Sequence, residues 1–215
     1  HIFIQHGMWE LVSTSNQSAY QAAVDLWEPG DSAGDMTHAL DWGQYGDLQL
    51  GDYERALMWI ERMKSVAEQN GSQARVVEAL PRVKARYIIE TRQWRSQPVT
   101  EASSAPELLA TGLSAVQLKD FALAGQASEA LAGLVDAAAS KESFYNRRTA
   151  PLQIMQKQVA GARLIGIGET EEGLALLQES VQIAEQMPLP RGAANPLKPA
   201  HEFYGEALLE ADRPA

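Results

Sequence analysis

The 215-residue chain contains no cysteine, so disulfides, thiolate metal sites and cysteine nucleophiles are excluded from its chemistry. That absence says nothing of compartment, since cysteine-free chains occur in every one. Basic side chains are outnumbered, 18 against 28 acidic, giving a net charge of −10. A field of that sign repels phosphate backbones, and nucleic acid is excluded as an expected partner. Long apolar runs are missing too. Stretches such as Ala132 to Val135 fall far short of the roughly 20 residues that span a bilayer, so no membrane span is expected. No basic segment with an apolar core follows His1, and any targeting segment would lie upstream. Strand signals are nearly absent: β-branched residues are sparse, alternation is never sustained, and Asn70-Gly71 separates two helical patterns instead of two strands. Apolar residues at 45% and charged residues at 21% exclude a disordered chain.

What remains is helical. From Tyr53 onward, Ala56, Ile60, Met63 and Ala67 recur at steps of four, three and four, with Glu54, Arg55, Glu61, Arg62 and Lys64 on the other faces. That is one apolar stripe on a surface-packed helix. The stripe returns at Leu174, Leu177, Val181 and Ala184, surrounded by Glu171, Glu172, Glu179 and Glu185. Helix breaks are expected at Gly7, Gly51, Gly125 and Gly168, where glycine takes the left-handed conformation that ends a helix. Their spacings are 44, 74 and 43 residues, and a degenerate break at Arg92 divides the long one into 41 and 33. Periods of this size predict stacked antiparallel helical hairpins. The expected architecture is therefore all-α, with residues 1–215 forming a single array of about five hairpins. Proline-rich stretches at about 96–106 and 188–199 are expected to be irregular loops.

The segment from Leu48 through Gly51, Asp52 and Tyr53 to Ala56, followed by Ile60, resembles the centre of a tetratricopeptide repeat (TPR). Further copies are Ala160-Gly161 with Leu164, Gly168 and Leu177; Tyr204-Gly205 with Leu208; and Phe3 with Gly7 and Trp9. The opening from His1 to Trp9 with Asn16, and the stretch from Pro196 to Leu209 with Arg213-Pro214, are similar to segments of long bacterial proteins carrying this repeat. The resemblance implies an α-solenoid with a TPR-like right-handed superhelix, forming the C-terminal part of a longer protein of the bacterial cytoplasm or periplasm. Several positions depart from the repeat pattern. Gly43 and Asp47 replace large residues, Leu118 fills a small site, and Arg92 and Asp212 stand where turn glycines are expected.

Catalytic patterns are weak. His201-Glu202 opens like a zinc-protease helix, but the second histidine, needed four residues on, is Gly205. Gly166-Ile-Gly168 resembles a phosphate loop but follows a helix, not a strand. His38 and Asp41, three apart on one helix face, could form a general-base dyad, but a solvated or helix-start pair is the favoured reading. No serine sits in a Gly-x-Ser-x-Gly elbow. Neither a catalytic residue, a metal nor a cofactor is expected. Trp9 and Trp94 fall two residues after breaks, where core packing accounts for them. Asn16-Gln-Ser18 and Asn70-Gly-Ser72 match a glycosylation sequon that chance supplies often.

In a hairpin stack, function follows shape, because successive first helices line a concave face. The resemblance places His38, Asp41, Tyr45 and Gln49 on that face, then Arg82, Arg86 and Glu90, with Gln158 and Glu202 farther along and Ile4 and Gln5 at the start. Two readings stand side by side. One is a non-catalytic scaffold that binds a peptide or partner protein in the groove; an acidic partner would suit the paired Arg82 and Arg86, four apart on one face. The other is a small-molecule or carboxylate binder, or an enzyme, with a pocket closed by the proline-rich loops or by upstream residues. For Arg82 and Arg86 the alternative to ligand binding is helical pairing with Glu78 and Glu90.

Overall fold

The computed structural model describes residues 2–140, 149–188 and 192–213. Among these the chain is entirely helical, with ten helices and no strand. They are α1 (Ile2–Gln5), α2 (Trp9–Leu26), α3 (Gly34–Gln49), α4 (Tyr53–Asn70), α5 (Ala74–Thr91), α6 (Ala105–Gln117), α7 (Phe121–Ala139), α8 (Thr149–Gly166), α9 (Thr170–Glu185) and α10 (Ala200–Glu210).

Local chemistry sets their ends. The Asp52 carboxylate accepts the Arg55 backbone N–H at 3.0 Å to start α4, and Asp120 does the same for Leu123 at 3.0 Å to start α7. Ser104 and Glu107 form a reciprocal capping box at the head of α6, which satisfies N–H groups that the first turn leaves open. Three of the expected glycine breaks hold: Gly7, Gly51 and Gly168 have φ of 65°, 72° and 97°. Arg92 and Asp212 take the same left-handed conformation, at 55° and 58°, as their place in the turn pattern predicts.

Gly125 is a correction, because it lies inside α7 and the break falls at Lys119, with φ 61°. Lysine at a left-handed position is uncommon, so a search for glycine misses it. The Asp120 cap immediately after it fixes the start of the next helix. Between α5 and α6 no helix forms from Gln93 to Ser104, and the described residues 192–199 ahead of α10 are likewise irregular.

The chain divides into two compact units, one of residues 1–92 with 190–193 and one of residues 93–189 with 194–215. In the first, α2 packs on α3, α3 on α4 and α4 on α5, and α3 also touches α5. Its core gathers Leu40, Ala56, Trp59, Ile60, Met63, Val76 and Val83, which includes most of the stripe read from α4. In the second unit, α6 packs on α7, α7 on α8, α8 on α9 and α9 on α10, while α6 touches α8 and α8 touches α10. Leu108, Leu109, Leu131, Ile154 and Leu177 are among its fully buried side chains.

The departures at Gly43 and Asp47 have one cause. A Cβ at position 43 would stand 2.5 Å from the Trp59 ring, so the missing side chain is the space the indole occupies. Asp47, fully buried, accepts the indole Nε1–H at 2.5 Å through Oδ2, and its Oδ1 lies 3.0 Å from Arg55 Nη2. A buried indole N–H and a buried carboxylate each need a partner, and they supply one another. Arg62 covers the outer face, its guanidinium 5.1 Å from the Trp59 ring and 5.4 Å from that of Tyr20.

At the end of the second unit, Arg213 holds Glu171 with a hydrogen bond of 2.8 Å from Nη1 to Oε2. This bond holds the Glu171 carboxyl below the ordinary carboxylate range and raises Arg213. A depressed folded-state pKa contributes stability above the unfolded value and loses it as pH falls through the folded one. Replacing Arg213 by alanine is therefore expected to lower the melting temperature slightly at neutral pH, with the difference from the parent vanishing in acid below the glutamate range. The pair is fully exposed, so the effect is small and salt-sensitive. Melting curves at several pH values check it.

Candidate functional site

The strongest concentration of polar chemistry in the first unit is a cleft of about 260 Å³ between α3 and α5. Gly34, Thr37, His38 and Asp41 form the α3 wall, and Arg75, Glu78 and Arg82 the α5 wall. His38, Asp41 and Arg82, predicted from the sequence, meet here, and Arg86, which is not on the lining, pairs with Asp41 from inside the protein.

Arg86 is only 2% exposed. Its Nη2 lies 2.8 Å from Asp41 Oδ1, and its Nη1 donates to the Asp41 carbonyl and to Gln44 Oε1, both at 3.0 Å. Gln44, itself fully buried, donates from Nε2 to the Val83 carbonyl at 2.7 Å. The guanidinium also lies over the Tyr45 ring, 5.5 Å from its centroid. Arg82 approaches the same carboxylate from the rim, with Nε 3.4 Å from Asp41 Oδ2. Both arginines converge on Asp41 across the helix interface. The expectation of two arginines jointly open to a ligand is corrected for Arg86, whose donors are spent inside the protein. A buried fork with a carboxylate, a carbonyl and an amide oxygen as acceptors is a structural fastening of α5 to α3.

His38, exposed at the rim, stacks on Trp42 with ring centroids 4.7 Å apart. Tyr45 meets Trp9 edge-on at 5.7 Å, which agrees with a packing role for Trp9. Gln49 is exposed at the end of α3, and Glu90 is half-buried on α5. Ile4 is buried and Gln5 exposed on α1.

The remaining candidates belong to the second unit, where one lysine links them. Gln158 is fully buried and donates from Nε2 to the Lys198 carbonyl at 2.8 Å. The Lys198 ammonium reaches Glu202 at 2.5 Å and Glu206 at 2.9 Å. Gln158 thus anchors the irregular segment before α10, and Glu202 balances the lysine that the segment carries.

Neither sequon presents a free asparagine. Asn16 donates to the Val12 carbonyl at 2.7 Å within α2, and Asn70 is buried and donates to the Val66 carbonyl at 3.2 Å. Among the described residues no group of three or more histidine and acidic side chains is placed to hold a metal ion, and no helix is long and apolar enough to cross a membrane.

No family model, curated protein or solved structure matches the chain. Sequence reasoning missed Arg75 and Glu78, both exposed on the cleft wall. Arg75, Glu78 and Arg82 fall at i, i+3 and i+7, the spacing of one helix face, and that signal was present. Neither Arg75 nor Glu78 makes an ion pair or side-chain hydrogen bond among the described residues. Arg75 leans towards the start of α3, with Nη1 3.2 Å from where a Cβ of residue 34 would stand. A side chain at that position would crowd the guanidinium, and glycine leaves it room.

Proposed function

We propose that the protein is a non-catalytic interaction module that binds a peptide or partner protein, and that the α3–α5 cleft is its recognition face. The observation that carries this reading is the division of charge in the cleft. Asp41 in the cleft wall is held by buried Arg86, which also engages Gln44, while Arg75 and Glu78 on the rim have no side-chain partner among the described residues. A carboxylate fastened in the wall beside available rim charges suits surface recognition. At about 260 Å³ the cleft lies under the range of about 300–1,000 Å³ usual for pockets that engulf small molecules. On that ground we rank the carboxylate-binding or enzymatic reading second.

The helical arrangement supports the same proposal. Contacts between alternate helices, α3 with α5, α6 with α8 and α8 with α10, are what stacked hairpins require, since each first helix must touch the next. We read each unit as a short TPR-like stack in this sense, with α3 and α5 as successive inner helices. The right-handed superhelix and membership of the TPR family are part of the proposal.

The test is site-specific photo-crosslinking in extracts of the source cells. A photoreactive residue in place of His38 on the cleft rim should yield discrete crosslinked proteins that are absent when it replaces Glu129 on α7. Arg75→Glu with Arg82→Glu should reduce the His38 products at least tenfold while leaving the circular dichroism spectrum unchanged. Identical products from both positions would sink the proposal.

A further inference from the structure

We infer that the α3–α5 cleft recognises a partner helix carrying an acidic, a basic and an acidic residue in the pattern Glu-x-x-x-Lys-x-x-Glu, laid antiparallel to α5. The inference rests on the reading of this cleft as a recognition face, and adds the chemistry of the partner.

The charges that Arg86 and Asp41 carry are matched internally, so neither is available to a ligand. What the rim offers is Arg75 and Glu78, and Arg82, which shares the single charge of Asp41 with Arg86 and so keeps positive charge to spare: a cation, an anion and a cation along one face of α5. With a helical rise of about 1.5 Å per residue, their Cα atoms are separated by about 4.5 Å and then about 6 Å along the axis. An extended peptide presents same-side residues every ~6.7 Å, which suits the second interval and misses the first. A helix repeats both intervals, because its own one-face spacings are three and four residues. Antiparallel alignment brings opposite ends of the two helix dipoles together, and it reverses the order of the spacings. Along the partner, an acid then faces Arg82, a base four residues on faces Glu78, and an acid three residues further faces Arg75. On the α3 wall opposite, His38 is the exposed side chain, beside a helix laid along this face.

Glu78 is the residue that makes this selective. A uniformly acidic helix would match both arginines but set a like charge against Glu78, between them. A basic helix would match Glu78 alone and meet two like charges. Selectivity of this kind comes from the repelled alternatives as much as from the preferred one. The chain's net charge of −10 disfavours any strongly acidic partner at long range, but that field is screened beyond about 8 Å at physiological salt. Local complementarity then decides.

The experiment uses three fluorescein-labelled, hydrocarbon-stapled helices that differ only at the three charged positions: Glu/Lys/Glu, Glu/Glu/Glu and Lys/Glu/Lys. Fluorescence anisotropy at 50 mM salt is expected to show the Glu/Lys/Glu helix binding at least tenfold tighter than either other helix. In the Glu78→Lys protein the preference should invert, with the Glu/Glu/Glu helix becoming the tighter ligand. Position 78 is exposed, so this variant folds like the parent. If Glu/Lys/Glu and Glu/Glu/Glu bind equally and both are lost with Arg75→Glu and Arg82→Glu, the recognition face stands and the charge pattern is overturned. If Glu78→Lys leaves the ratio unchanged, the pattern is likewise overturned. If no helix binds and the His38 crosslinks are absent as well, both readings fall together.

Discussion

Replacing Arg86 by alanine is expected to destabilise the first unit by about 3 kcal/mol, the lower end of what removing one partner of a buried pair costs. The side chain is 3% exposed and that of Asp41 15%, so the remaining carboxylate would stay largely out of water. It would keep only Arg82, at 3.4 Å and on the rim. Gln44 Oε1 would lose its donor at the same time, and a buried acceptor left unpaired adds about 1–3 kcal/mol in the worst case. Arg86→Lys should fall between, since a single ammonium cannot reach the Asp41 carboxylate, the Asp41 carbonyl and the Gln44 amide with the same fork. Arg86→Met combined with Asp41→Leu is expected to recover much of the loss, because removing both charges removes the unpaired one. Urea denaturation followed by tryptophan fluorescence reads all three; a loss under about 0.5 kcal/mol for Arg86→Ala would be in the range of an ordinary surface substitution and would show that the pair fastens nothing. The same result bears on binding assays: an Arg86 variant confounds folding with recognition, whereas Arg75 and Glu78 on the exposed rim do not.

The origin of that network shows where sequence reasoning reaches its limit. The stripe of Ala56, Ile60 and Met63 was readable because a helix repeats its core face within a few residues, and all three are buried. The turns at Gly7, Gly51 and Gly168 were readable for a similar reason, since only a local backbone angle is at stake. Arg86 and Asp41 are 45 residues apart, and along α5 Arg86 has Glu90 at the spacing that usually supplies a partner. Nothing local distinguishes the two pairings; the contact between α3 and α5 does. Gln158 is a comparable case. An amide in an amphipathic helix reads as a surface or groove residue, yet it is fully buried because the irregular segment at Lys198 offers a carbonyl that needs a donor. Gly43 and Asp47 were legible only as anomalies. Their explanation is Trp59, which claims the volume of one and the hydrogen-bonding capacity of the other. The candidates at His38, Asp41 and Arg82 were placed on a common groove by the resemblance to the repeat, and the cleft contains them, but Arg75 and Glu78 complete it.

Opposite outcomes are expected from one substitution made at two helical glycines of the second unit. Gly161 and Gly173 face each other where α8 crosses α9, and the obstruction there is backbone. A Cβ at 173 would stand 2.6 Å from the Gly161 carbonyl oxygen and 3.0 Å from the Ile165 nitrogen; one at 161 would stand 2.8 Å from the Gly173 carbonyl oxygen. A side chain can turn aside, but a helix backbone cannot, so Gly173→Ala must push α8 and α9 apart along a length that includes buried Val159, Leu174 and Leu177. Overpacking of this kind costs about 1–3 kcal/mol, against a gain of about 1 kcal/mol from alanine's better helix propensity. The net for Gly173→Ala is a loss of up to about 2 kcal/mol, and for Gly173→Val about 3 kcal/mol or more, since valine adds volume and loses the propensity gain. Gly133 in α7 has nothing within 4 Å of its would-be Cβ, so Gly133→Ala should stabilise by about 0.5–1 kcal/mol from propensity alone. Combining Gly161→Ala with Gly173→Ala should cost less than the two separately, because helices already displaced by the first methyl accommodate the second. Guanidinium denaturation followed by far-ultraviolet circular dichroism measures each value. A stabilised Gly173→Ala protein would mean that α8 and α9 are not held at glycine contact.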